Sequence, residues 1–70
     1  MKIFHMRPSG TMPALGEFRA LTPRQAADQY VARVGYRPHD PYELTVIAAT
    51  DSHETTFVVE NGVVGTQKQP

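Results

Sequence analysis

Between residues 22 and 35 the apolar positions fall at helical spacing. Ala27, Tyr30, Val31 and Val34 recur at i, i+3, i+4 and i+7 as one narrow stripe, with Gln25, Asp28, Gln29 and Ala32 opposite. Both ends carry matching signals. Thr22 is a good N-cap, Pro23 suits the first helical position, and Gln25 completes a T-x-x-Q capping box. Gly35 supplies the stop, and Arg33 sits favourably near the negative end of the helix dipole. Residues 36–41 contain two prolines and form a connecting loop.

The remaining periodicity is that of strands. Residues 42–50 and 55–60 are rich in β-formers, and Asn61-Gly62 is a strong hairpin signal, because both central residues of a type I′ turn need positive φ. Residues 63–68 return as the last strand of a three-strand meander. The Asn61-Gly62 turn sets Glu60 opposite Val63, Val59 opposite Val64 and Phe57 opposite Thr66. If residues 51–54 form the other loop, Thr50 faces Thr55, Ala48 faces Phe57 and Val46 faces Val59. Both turns then place Leu44, Val46, Ala48, Phe57, Val59 and Val64 on one face, which receives the helix stripe.

Towards the N-terminus, residues 2–7 read as a strand with Ile3 and Phe4 as its apolar content. Residues 8–16 form a loop, and residues 17–21 a second short strand. The predicted order is β-β-α-β-β-β. This is an α+β fold, one amphipathic helix packed on an antiparallel sheet of about four to five strands, in a single domain over residues 1–70. Residues 67–70 are expected to fray.

Length and composition limit the function classes. Seventy residues lie near the lower limit for an unaided core, and the chain has no cysteine for disulfides or thiolate zinc sites. Oligomerisation or a bound partner is then a reasonable source of added stability. Neither a signal-peptide core nor a membrane-length apolar run is evident, so a cytoplasmic protein without membrane contact is expected. The formal net charge is zero, which argues against a dedicated nucleic-acid binder, but the charges are unevenly spread. Residues 1–39 hold Lys2, Arg7, Arg19, Arg24, Arg33 and Arg37 against Glu17 and Asp28. Residues 40–70 hold Asp40, Glu43, Asp51, Glu54 and Glu60 against Lys68. Such asymmetry marks a charged binding face unless the two halves interleave and neutralise each other.

Candidate chemistry is sparse. His5, His39 and His53 share no metal-ligand spacing, and no phosphate-loop pattern accompanies Gly10 and Gly16. Asp51-Ser52-His53-Glu54 contains the residue types of a serine triad, but consecutive residues at a hairpin tip do not converge in a hydrogen-bonded line. They read as turn chemistry. Two surface features remain. The predicted register puts Ile47 beside Val58 and Gly65 on the outer sheet face, flanked by Val63 and Ala49 and rimmed by Thr45, Glu60, Thr56 and Gln67. This patch is either a dimer or partner interface or lies under the N-terminal strand and loop. The second feature is the arginine set: Arg24 and Arg33 flank the helix, and Arg37 lies beside Tyr36 and Tyr42.

The stretch FRALTPRQAADQYVARVG places a capping Thr-Pro before an alanine-rich helix with a mid-helix tyrosine, and continues into residues 44–49 and 56–65. It is similar to the strand–helix entry of small phage and mobile-element proteins. The whole resembles small phage-borne inhibitors, including anti-CRISPR-type proteins, built from one helix on an antiparallel sheet. The resemblance is architectural and carries over no functional residue; it implies a protein-binding role. The expectation is therefore a non-enzymatic interaction module, without cofactor or metal, that binds and inhibits or regulates a larger protein or ribonucleoprotein. Ile47, Val58 and Val63 are its candidate apolar contacts, and Arg24, Arg33 and Arg37 its candidate charged ones. The alternatives are nucleic-acid binding through the basic half and a homodimer whose outer faces pair.

Overall fold

The helix begins where its cap predicts. The Gln25 amide donates to Thr22 Oγ1 at 3.2 Å, and the Ala26 amide donates to the Thr22 carbonyl. A computed structural model describes residues 1–9, 16–34 and 41–68 of the chain, and within them the helix, α1, spans Pro23–Val34. The expected stop at Gly35, the loop that follows and Arg37 lie outside the described residues. The buried face holds Ala26, Ala27 and Tyr30, with Val31 and Val34 partly buried beside them. Ala26 thus joins the predicted stripe. With only methyl groups at two adjacent positions, the helix backbone approaches the sheet closely, and Tyr30 fills the space one turn on. Gln25, Asp28, Gln29 and Ala32 are exposed, as the pattern predicts.

Five strands complete the fold: β1 (Lys2–Pro8), β2 (Phe18–Ala20), β3 (Tyr42–Ala48), β4 (Glu54–Glu60) and β5 (Val63–Gln67). They form one antiparallel sheet in the order β2-β1-β3-β4-β5. This is the α+β architecture, and the element order, that the sequence predicts. The sheet curls so that both edge strands, β2 and β5, touch α1. β1 runs through Pro8, past its predicted end, because the Ser9 amide donates to the Glu43 carbonyl on β3. Alternate residues turn their amides to opposite sides of a strand, so Pro8's nitrogen faces away from β3, where a three-residue β2 requires no donor from it.

The β4–β5 hairpin turns at Asn61 and Gly62, with φ of 55° and 73°, and pairs Glu60 with Val63 and Val59 with Val64 as predicted. Beyond this point the register shifts: Phe57 pairs with Gln67 rather than Thr66. Gly65 and Thr66 together oppose Val58, which is a β-bulge. Glycine is required here by close approach, since a Cβ on Gly65 would lie 2.9 Å from the Val58 carbonyl oxygen.

The β3–β4 pairing differs more. Val46 faces Thr55, Leu44 faces Phe57 and Tyr42 faces Val59, a slide of four residues from the predicted register. The turn lies earlier than expected, at residues 49–52. Ser52 donates to the Ala48 carbonyl at 2.8 Å with a φ of 61°, and Ala48 donates to the His53 carbonyl. The Asp51 carboxylate accepts the His53 amide at 3.0 Å, so this segment is turn chemistry as predicted. Because four is even, the slide leaves every side chain on its expected face. Leu44, Val46, Phe57, Val59 and Val64 are buried together, joined by Tyr42, by Phe4 and Met6 from β1, and by Phe18 and Ala20 from β2. Phe18 packs edge-to-face on Tyr30 with centroids 6.0 Å apart.

Replacing Gly65 with alanine is expected to cost about 1–3 kcal/mol, the range for forcing an extra methyl into a tight contact. Chemical denaturation of Gly65→Ala against wild type measures it, and an unchanged midpoint would show that the bulge relaxes freely.

Candidate binding surface on the convex face

The side chains that reach the sheet edges decide which surface residues are available for binding. β1 turns its even-numbered residues towards β2, so the Arg19 carbonyl and Leu21 amide project off the outer edge of β2. Gln29 Nε2 donates to that carbonyl at 3.0 Å, and the Leu21 amide donates to Gln25 Oε1 at 2.9 Å. Gln25 therefore reaches one residue further back than a capping box requires. At the other edge Arg24 donates from one guanidinium nitrogen to the Val64 carbonyl (2.6 Å) and from the other to Gly65 (2.8 Å). The bulge turns two successive carbonyls outward, and the planar guanidinium spans both.

Two of the predicted charged contacts, Arg24 and Arg33, are engaged separately within the fold. Arg24 is bound to β5. Arg33 lies over the Phe18 ring, 5.0 Å from its centroid, where it covers a core aromatic. Two of the cations of the basic half serve the fold, which weakens the case for a nucleic-acid surface. The charged halves also interleave, since β1 lies beside β3 and Arg7 pairs with Glu54 at 2.9 Å.

The convex face, turned away from α1, carries the remaining candidates. The four-residue slide separates Ile47 from Val58. Ile47 sits between His5 and Glu54, whereas Val58 lies opposite Glu43, about 13 Å along the sheet at strand rise. Between them Thr45 and Thr56 share a hydroxyl hydrogen bond of 3.0 Å, and Glu43 pairs with Lys68. The single patch predicted from sequence is thus two, divided by a polar band. Gln67, expected on its rim, shares the face of Phe57 because of the bulge. Nor does the N-terminal strand lie across this face; β1 is paired edge-on within the sheet.

Val58 and Val63 do come together. They line a shallow depression of about 430 Å³ with Glu60, Gly65 and Thr66. Gly65 contributes no side chain, and the bulge on which it sits leaves room between the two valines. Val63 is 64% exposed. Sequence reasoning found both valines but missed the hollow, which arises from the bulge; the isolated Gly65 within a strand pattern was the available signal.

Among the described residues, no group of three His, Cys, Asp or Glu side chains is placed to hold a metal ion. His39 lies outside them. No helix among the described residues is long and apolar enough to cross a membrane. No protein-family model, curated protein or solved structure matches the chain.

Arg24→Met keeps the aliphatic stem but leaves two carbonyls without their charged donor, with an expected loss of about 1.5–3 kcal/mol of folding stability. Arg33→Ala should cost less, about 0.5–1 kcal/mol for an exposed cation over a ring. Denaturation midpoints of the two variants give the comparison, and equal losses would contradict the assignment of Arg24 as an edge clamp.

Proposed function

We propose that this protein is a non-catalytic interaction module that occupies a surface of a larger protein or ribonucleoprotein and thereby inhibits or regulates it. The observation that carries this reading is the depression between Val58 and Val63 on the convex face of the β4–β5 hairpin. A half-apolar hollow next to a largely exposed valine suits one projecting apolar side chain of a partner, and Glu60 supplies a charged rim. The tight Asn61-Gly62 turn and the Arg24 contact to β5 hold this hairpin in one shape, so little ordering cost is left to be met on binding. The likeness to small phage-borne inhibitors points to the same class of role. In this reading Val58 and Val63 are the anchors, Ile47 belongs to a separate patch, and Arg24 and Arg33 contribute through the fold.

Val63→Asp places a charge on the anchor without entering the core. Losing a buried valine contact of about 1.5–3 kcal/mol corresponds to a roughly ten- to hundredfold weaker complex. The measurement is recovery of a stoichiometric partner on immobilised wild-type protein, followed by titration calorimetry with both forms. A folded Val63→Asp protein that binds the same partner at wild-type affinity would overturn the docking surface. Light scattering of the free protein distinguishes a second copy of the chain from a foreign partner.

A further inference from the structure

The chain contains one asparagine, Asn61, and Gly62 follows it directly at the tip of the β4–β5 hairpin. Both residues are exposed. Both are left-handed, with φ of 55° and 73°, as a two-residue type I′ turn closed by the Glu60–Val63 pair requires. In such a hairpin the ladder uses the amides and carbonyls of the closing pair, so the Gly62 amide serves no strand. Gly62 also lacks a side chain that would shield its nitrogen. A carboxamide therefore stands one residue before an accessible backbone nitrogen, the arrangement that closes to a five-membered imide. Asparagine is among the chemically least durable residues for this reason.

We propose that Asn61 is a self-modification site, whose deamidation opens the β4–β5 hairpin and removes the surface between Val58 and Val63. In the first step the Gly62 nitrogen attacks Asn61 Cγ. The new N–Cγ bond replaces the Cγ–Nδ2 bond, and ammonia leaves with the Gly62 amide proton. Water then adds across one of the two C–N bonds of the imide. Cleavage at Cγ gives an ordinary aspartate, and cleavage at the main-chain carbonyl gives an isoaspartyl linkage. Amide and water are the only reactants, so no oxidant or cofactor is needed.

Ring closure requires rotation of Asn61 out of its left-handed conformation. Arg24 grips β5 only from Val64 onwards, so opening of the Glu60–Val63 pair at the tip is sufficient. The two products then differ in consequence. Asp-Gly is itself a type I′ pair and keeps the hairpin. The isoaspartyl product routes the main chain through Asn61 Cβ and Cγ, adding a methylene to a turn defined by two standard residues. Glu60 and Val63 can no longer close the ladder, and a new carboxylate lies next to Glu60. The consequence for binding rests on the docking surface proposed above, because Val63 and Glu60 line that hollow.

The test is incubation of the folded full chain in neutral buffer, with ammonia release and peptide mass mapping followed in time. Wild type should release one equivalent of ammonia and gain an acid in the peptide containing residue 61. Asn61→Gly, which keeps a type I′ pair without the carboxamide, should do neither. Amide NMR of the separated products should give a spectrum like that of Asn61→Asp for the aspartyl form. The isoaspartyl form should show displaced Glu60, Val63 and Val64 signals. Isomerisation at Asp51 releases no ammonia and so is distinguished. Three results would overturn the proposal: folded wild type unmodified after the urea-unfolded chain has converted completely, ammonia from Asn61→Gly at the wild-type rate, or an isoaspartyl form with native Glu60 and Val63 signals. None of these measurements uses a binding partner, so a failed docking surface leaves their outcome unaffected.

Discussion

One helix must satisfy both edges of one sheet, and most of the architecture follows from that requirement. Arg24 and Gln25 are consecutive residues, about 100° apart around the helix axis, and they reach opposite edges. Arg24 bonds to the β5 carbonyls and Gln25 to the amide that follows β2. Gln29, one turn on, repeats the second contact. Five strands at about 4.8 Å spacing separate the two edges by about 19 Å if the sheet is flat, too far for side chains of one helix to reach both. The sheet therefore curls around α1. Ala26 and Ala27, fully buried, allow the helix backbone to sit deep enough in the concavity for the reach to succeed. An uncapped edge invites pairing with other chains, so these contacts also guard against aggregation.

The curl and the bulge together divide the molecule into two surfaces with different chemistry. On the convex side the strands present paired charges, a threonine pair and two separate apolar patches. On the concave side the helix covers the core, and its Arg24 and Gln25 reach the two sheet edges. The bulge at Gly65 affects both. It opens the hollow between Val58 and Val63, exposes the carbonyls that Arg24 binds, and moves the exposed Gln67 to the face of Phe57. A single residue without a side chain thus connects edge protection and the proposed docking hollow.

The proposed docking surface was legible only in part. Val58 and Val63 stood out as apolar residues on a face that should be polar, and they do share a hollow. Ile47 stood out for the same reason, but it lies elsewhere because the β3–β4 turn is at residues 49–52. The error had little consequence for the core, since an even slide exchanges neighbours without exchanging faces. It mattered on the outer face, where a patch depends on which residues adjoin. The arginines were legible as a set, yet their use was not: a guanidinium that binds backbone carbonyls forty residues away has no local signature.

The chain by itself determined its local elements and which side chains face inward. Capping residues, the helical and strand periods, and the Asn61-Gly62 turn act within a few residues and need no distant partner. Tertiary structure decided everything that depends on adjacency across strands. This includes the place of β1 between β2 and β3, the register of β3 on β4, the bulge opposite Val58, and the recruitment of Arg24, Gln25 and Gln29 to the edges. Hydrophobic alternation fixes a strand's face but is indifferent to even shifts along it. The edge contacts, the turn at Ser52 and the close approach at Gly65 select one register among those the alternation permits.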